Sequence, residues 1–223
     1  LTLALLMAAL VPFVAPSPTR AASSDLFISE YVEGSSFNKA IEIYNGTGAS
    51  VDLAAAGYSL ELYSNGASTA SQTMALDGVI ADGDVLVVAH ASATSAILAV
   101  ADATNSAVIN FNGDDAVVLK RGDLVLDVFG QIGVDPGTGW GSGDVTTVDH
   151  TLVRRPSVTD GDPDGSDAFD PAIEWIGYPN STFSFLGSHS VGATPTDPAG
   201  SGSADPATVT AGSTTTLQVQ VIG

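Results

Sequence analysis

Hydrophobic and polar residues alternate along much of the chain with a period of two, the repeat of a strand with one buried face. Ala40-Ile41-Glu42-Ile43-Tyr44 and Tyr58-Ser59-Leu60-Glu61-Leu62-Tyr63 show it plainly, and both run into Asn-Gly turns, Asn45-Gly46 and Asn65-Gly66. Leu26 to Val32 is apolar and β-branched, and Val85-Leu86-Val87-Val88-Ala89 is a continuous apolar run of the buried-strand kind. Val117-Val118-Leu119 and Leu124 to Phe129 flank Lys120-Arg121-Gly122-Asp123, which predicts a hairpin with glycine at its tip. Thr151 to Arg155 and Ile173 to Ile176 read as last strands or edge pieces. Only the alanine-rich stretch Ser92 to Ala101 reads as a helix, and residues 130–143 form a glycine-rich loop holding Trp140. In the first strands Phe27, Ile41 and Ile43 are expected to point inward, with Lys39 and Glu42 facing solvent. Asn45-Gly46 and Asn112-Gly113 are expected to supply positive φ. Strands separated by turns, with 24 glycines in 223 residues, predict an all-β sandwich or barrel and argue against an α/β sheet.

The two ends depart from this pattern. Leu1 to Ala15 is apolar but for Thr2 and Pro12, and small residues follow at Ala21-Ala22-Ser23-Ser24. A short apolar run ending in proline and small residues predicts a secretory signal peptide over residues 1–22, cleaved near Ala21 or Ala22. A membrane span needs about 20 apolar residues, and Pro12, Pro16 and Pro18 interrupt this run. The competing reading is a buried N-terminal helix. Residues 192–205, GATPTDPAGSGSAD, are a Pro/Gly/Ser linker without apolar periodicity. Beyond it Val209 and then Leu217, Val219 and Val221 at period two predict the start of a further β-domain over 206–223, or a tail folding back on the main sheet.

Charge narrows the function. Six Lys+Arg stand against 25 Asp+Glu, a formal net charge of −19. Loss of residues 1–22, whose one charge is Arg20, takes it to −20. Such a field repels phosphate backbones, so direct nucleic-acid binding is not expected. The absence of cysteine excludes disulfides, thiolate zinc sites and thiol catalysis. With 44% hydrophobic residues the chain is not disordered throughout. Arg154-Arg155 and Lys120-Arg121 form either a small basic spot or ion pairs with nearby aspartates.

Catalytic chemistry is poorly represented. His90, His150 and His189 sit on unlike segments, no pair has zinc-ligand spacing, and there is no Gly-x-Ser-x-Gly elbow. No catalytic residue is expected. The strongest chemical candidate is the loop Asp160-Gly161-Asp162-Pro163-Asp164-Gly165-Ser166-Asp167, continuing to Asp170. Aspartate at positions 1, 3 and 5 and glycine at 6 match the front half of a calcium loop. Position 12 is Pro171 where the bidentate glutamate should stand, so Asp167 or Asp170 would have to close the site. The ligand set under this reading is Asp160, Asp162, Asp164, Ser166, Asp167 and Asp170, with calcium as the one cofactor to weigh. The alternative is a solvated turn in which Asp and Ser cap backbone N–H groups. Trp140, with Tyr178 and Trp175, is either an aromatic platform for sugars or a plug at one end of the sandwich.

Three stretches together resemble a known family. They are Phe27 to Asn45 (FISEYVEGSSFNKAIEIYN), Phe111 to Leu119 (FNGDDAVVL), and Thr151-Leu-Val-Arg-Arg155 through Asp167-Ala-Phe-Asp-Pro171 to Glu174-Trp-Ile-Gly177. They resemble the bacterial form of the lamin-tail domain, an immunoglobulin-like β-sandwich, here over residues 23–191. The resemblance implies a non-catalytic module of a larger secreted bacterial protein, located outside the cell or at its surface, with a protein or cell-surface partner. It also implies an alternative, the leading part of an extracellular nuclease or phosphatase of the endonuclease/exonuclease/phosphatase class with its catalytic domain downstream. A carbohydrate-binding module using Trp140 and nearby carboxylates is a third reading, taken from the residues themselves. The tail at 206–223 then looks like the start of a further immunoglobulin-like domain, and no membrane span is expected after leader cleavage.

Overall fold

The computed structural model describes residues 22–192. The expected signal peptide, apart from Ala22, and the strands expected at 206–223 lie outside the described residues. Chain order runs β1 (Phe27–Glu33), β2 (Lys39–Tyr44), β3 (Val51–Asp52), α1 (Leu53–Ala56), β4 (Tyr58–Tyr63), β5 (Gln72–Ala75), β6 (Val79–Ile80), β7 (Val85–Ala89) and α2 (Ser95–Leu98). It continues with β8 (Ala103–Thr104), β9 (Ala116–Arg121), β10 (Leu124–Phe129), β11 (Gly141–Ser142), β12 (Val145–Thr146), β13 (His150–Arg154), α3 (Pro171–Glu174) and β14 (Trp175–Pro179). Six strands form one sheet in the order β14-β13-β1-β2-β7-β8, and four form the other in the order β10-β9-β4-β5. Two small ribbons, β11-β12 and β3-β6, complete the strands.

Alternation places the core. Ile28, Tyr31, Ile41, Ile43, Val88 and Leu152 of the large sheet meet Leu60, Leu62, Val117, Leu119 and Leu126 of the small one. Tyr31 sits at the centre, its ring stacked between Phe111 (4.6 Å) and Phe129 (4.1 Å). Full burial of each aliphatic side chain contributes roughly 1.5–3 kcal/mol. The β9–β10 hairpin forms as expected, with Gly122 at φ 58° in its tip. Bulges fall in β1 between Ile28 and Glu30 and in β10 between Val125 and Asp127. The β10 bulge turns Asp127 toward the large sheet, and the β1 bulge lets Ser29 reach Glu42 on the outer face.

The large sheet differs from expectation on its second face. Glu42 is 1% exposed and Lys39 7% exposed, where both were expected in solvent. The outer face of β1, β2 and β7 is covered: Leu186, Ile97 and Ala93 pack on Val32, Ala40, Val87 and Ala89, and Val191 packs on Phe27 and Tyr44. Glu42 sits under this cover, accepting hydrogen bonds from Ser29 Oγ (2.7 Å) and Gly187 N (2.7 Å). Lys39 pairs with Glu33 and lies 5.9 Å from the Phe111 ring centroid.

Three local expectations also change. The stretch Ser92 to Ala101 contains one short helical turn, Ser95–Leu98, that inserts Ile97 and no more. Ile173 belongs to α3 rather than a strand and is 71% exposed, because Asp170 caps a helical turn there and Pro171 starts it. Gly46 does not take a positive φ. It is required because a Cβ there would lie 2.2 Å from Ser23 Oγ. Gly113, at φ 104°, follows the expectation.

Candidate functional site

The expected calcium loop is anchored by an ion pair between the sheets. Asp127 is pushed toward the interior by the β10 bulge and accepts from Arg154 of β13 at 2.8 and 3.1 Å. Its remaining capacity takes the N–H of Ile28 (2.7 Å) and of Asp162 (2.9 Å). The Arg154 guanidinium lies 4.6 Å from the Trp175 ring centroid and 5.5 Å from that of Phe27, and its second terminal nitrogen meets Glu174 at 3.1 Å. Lys120 and Arg121 pair with Glu61 and Asp25. Arg154, Lys120 and Arg121 are therefore engaged in ion pairs and form no basic spot.

From this anchor the 160–174 segment rims a concavity of about 240 Å³. Asp162, Asp167, Asp170 and Glu174 stand around a floor that includes Val128, Phe169 and Trp175. Four of the aspartates have local work. Asp160 accepts from Ser24 N (2.6 Å) and Thr159 Oγ1 (2.9 Å). Asp162 Oδ1 accepts from Asp164 N (3.0 Å), and Asp164 Oδ1 from Ser166 N (3.0 Å) and Oγ (2.6 Å). Asp170 caps α3 through Ala172 N (3.0 Å).

The charge states follow these contacts. Hydrogen bonds from Ser24 hold the Asp160 carboxyl below its ordinary range, and those from Ser166 do the same for Asp164. The neighbouring charge of Asp162 pushes Asp167 up, and burial pushes Glu174 up. Among the described residues no three or more His, Asp or Glu side chains are grouped so as to hold a metal ion. In this arrangement Asp160 accepts from Ser24 N, Asp170 caps α3, and Ser166 Oγ donates to Asp164, so these three side chains are engaged locally.

The other candidates are structural. Trp140 is buried, its ring set edge-on to Phe169 at 5.7 Å, so its face is not open as a sugar platform. His90 is buried, stacked on Phe37 at 4.5 Å, and its Nδ1 accepts from Ser92 N. His150 Nδ1 lies 2.8 Å from the Val148 carbonyl. His189 packs edge-on against Tyr44 (5.0 Å) and Phe27 (5.8 Å), and burial lowers it to about 4 with help from Arg154. One feature had no sequence signal: Glu30 is buried with neither oxygen hydrogen-bonded among the described residues, and burial, then the charge of Glu42, pushes it up to about 9.

Two packed, unclosed sheets with polar groups consumed by packing define an immunoglobulin-like β-sandwich. The lamin tail domain family matches residues 19–133, and the chain belongs to it. That domain is a non-catalytic fold. The matched segment spans β1 to β10, and β11 to β14 follow it. Comparison with curated proteins and with solved structures finds no match. Among the described residues no helix is long and apolar enough to cross a membrane.

Proposed function

We propose that the chain is a non-catalytic accessory module of a larger secreted bacterial protein, acting outside the cell by presenting a rigid sandwich to a protein or cell-surface partner. Family membership over residues 19–133 carries this reading. The site geometry supports it, because the candidate carboxylates, histidines and tryptophans are engaged in caps, ion pairs and aromatic packing. The apolar run Leu1 to Ala15 supports export.

Expression of the open reading frame with an epitope tag, followed by fractionation and mass spectrometry of the mature N-terminus, tests this. The expected result is tagged protein in the medium or on the cell exterior, beginning near Ala22, with the purified chain inert toward DNA and phosphate esters. Retention in the cytoplasm with residues 1–22 intact overturns the reading.

A further inference from the structure

The sheets end on four edge strands, and three are covered or very short. β14 runs against the β11–β12 ribbon, which packs over it at Gly177. β8 is two residues long. β10 is met by the 160s loop, with Val128 N donating to Asp162 O at 2.8 Å. β5 is the exception. Among the described residues it pairs with β4 alone, and residues 68–73 and 75 are exposed.

The register shows which backbone groups β5 leaves open. Leu76 N donates to Tyr58 O at 2.9 Å, which puts Leu60 opposite Met74 in the hydrogen-bonded phase. The N–H and C=O of Thr73 and Ala75 therefore face away from β4. Natural edges are usually protected by lysine, proline or a covering loop. Ser64 to Leu76 contains no charged residue and no proline, in a chain of net charge −19. Acids instead bracket the strand. Asp77 follows it directly, and at the other end Asp115 Oδ1 accepts from Asn65 N (2.8 Å) while the Asp135 backbone abuts Gly66.

We propose that β5 is a docking edge for an extended segment of a partner protein, which adds a fifth strand beside β10-β9-β4-β5. The segment has an uncharged, β-prone middle of about four to six residues and Lys or Arg at both ends, facing the exposed Asp77 on one side and Asp135 on the other. A second copy fits poorly. Antiparallel β5–β5 pairing sets Asp77 of one chain toward the Asp135 end of the other, between two strongly acidic molecules. This proposal rests on the reading of the chain as an interaction module and names the kind of partner.

The probe is a synthetic peptide of three Thr-Val repeats with two lysines at each end, titrated into the full chain by fluorescence anisotropy. A glutamate-flanked twin and two versions N-methylated on opposite alternate residues serve as comparisons. The lysine peptide is expected to bind, the glutamate twin about tenfold or more weaker, and one N-methylated version to lose binding while the other keeps it. Thr73→Pro removes an outward N–H and is tolerated at an edge, so it abolishes binding without unfolding the chain. Equal loss, or no loss, from the two N-methylated versions reduces the effect to charge attraction and overturns the proposal, as does absence of binding. A concentration-dependent dimer in sedimentation that Thr73→Pro dissolves assigns the edge to a second copy and overturns the stated occupant. If Thr73→Pro leaves the exported chain on the cell surface while the peptide fails to bind, the edge falls and the module reading stands.

Discussion

Arg154 and Asp127 join the two sheets through a bidentate pair at 2.8 and 3.1 Å, with side-chain exposures of 1% and 0%. Removing only the cation leaves a carboxylate in the interior with no compensating charge. Arg154→Met is expected to destabilise the domain by about 3–5 kcal/mol, read from urea unfolding. The double change Arg154→Met with Asp127→Leu recovers only part of this, because Ile28 N and Asp162 N then lose their acceptor. A loss under about 1 kcal/mol for Arg154→Met would show that the pair is dispensable.

Stability should pass through a maximum on the acid side of neutrality. Glu30 is raised from 4.5 to about 9, so its contribution is complete below pH 4.5 and disappears as pH rises through 9. His189 is lowered from 6.5 to about 4, so its contribution is complete above pH 6.5 and disappears as pH falls through 4. These two groups together place the optimum at about pH 5.5. Glu30→Gln is expected to flatten the alkaline limb by roughly 2–4 kcal/mol at pH 9, and His189→Phe the acid limb. Unfolding curves collected from pH 4 to 9 check both, and an unchanged alkaline limb in Glu30→Gln contradicts the first.

Gly177 lies where β14 passes the β11–β12 ribbon, and a Cβ there would run into the Asp144 carbonyl oxygen. Because the obstacle is backbone, Gly177→Ala is expected to cost about 1–3 kcal/mol and displace the ribbon. Faster amide exchange at Gly141, Ser142 and Val145 relative to the β1–β2 pair would register that displacement. Uniform exchange across the domain would refute it.

Millimolar calcium is expected to leave the melting temperature within about 1 °C, since an ion held at a hundred times its Kd stabilises by about 2.7 kcal/mol and would be seen. Asp160, Asp162, Asp164 and Asp170 already accept from backbone N–H groups. A clear rise with calcium, lost on Asp162→Ala with Asp164→Ala, would show that the carboxylates rotate to form a site.

The strand pattern was legible where one period dominates. β2, β4, β7 and β10 stand where alternation or a continuous apolar run put them. Glu42 was misplaced because period-two reading assigns alternate residues to water, and here Leu186, Ile97 and Ala93 cover the second face. Lys39, in phase with Ile41 and Ile43, ends the inner face beside Glu33 and Phe111. Two-residue strands such as β3, β6 and β8 carry too few positions to show a period. The candidate loop was legible as a cluster of aspartates, but composition does not tell a cap from a ligand. Only the positions of Ser24, Ser166 and Ala172 N do so. Glu30 resembled any polar residue in a strand, and its burial depends on sequence far away.

The placement of β1 between β2 and β13 has a consequence for synthesis. Tyr31 pairs with Ile41 on one side and with Leu152 on the other, so its second neighbour leaves the ribosome long after the first. A nascent chain ending at residue 133 holds the whole family-matched segment. It still has the Asp127 carboxylate without Arg154, and one flank of β1 open. The native sandwich can therefore close only late in translation, and until then the chain stays threadable.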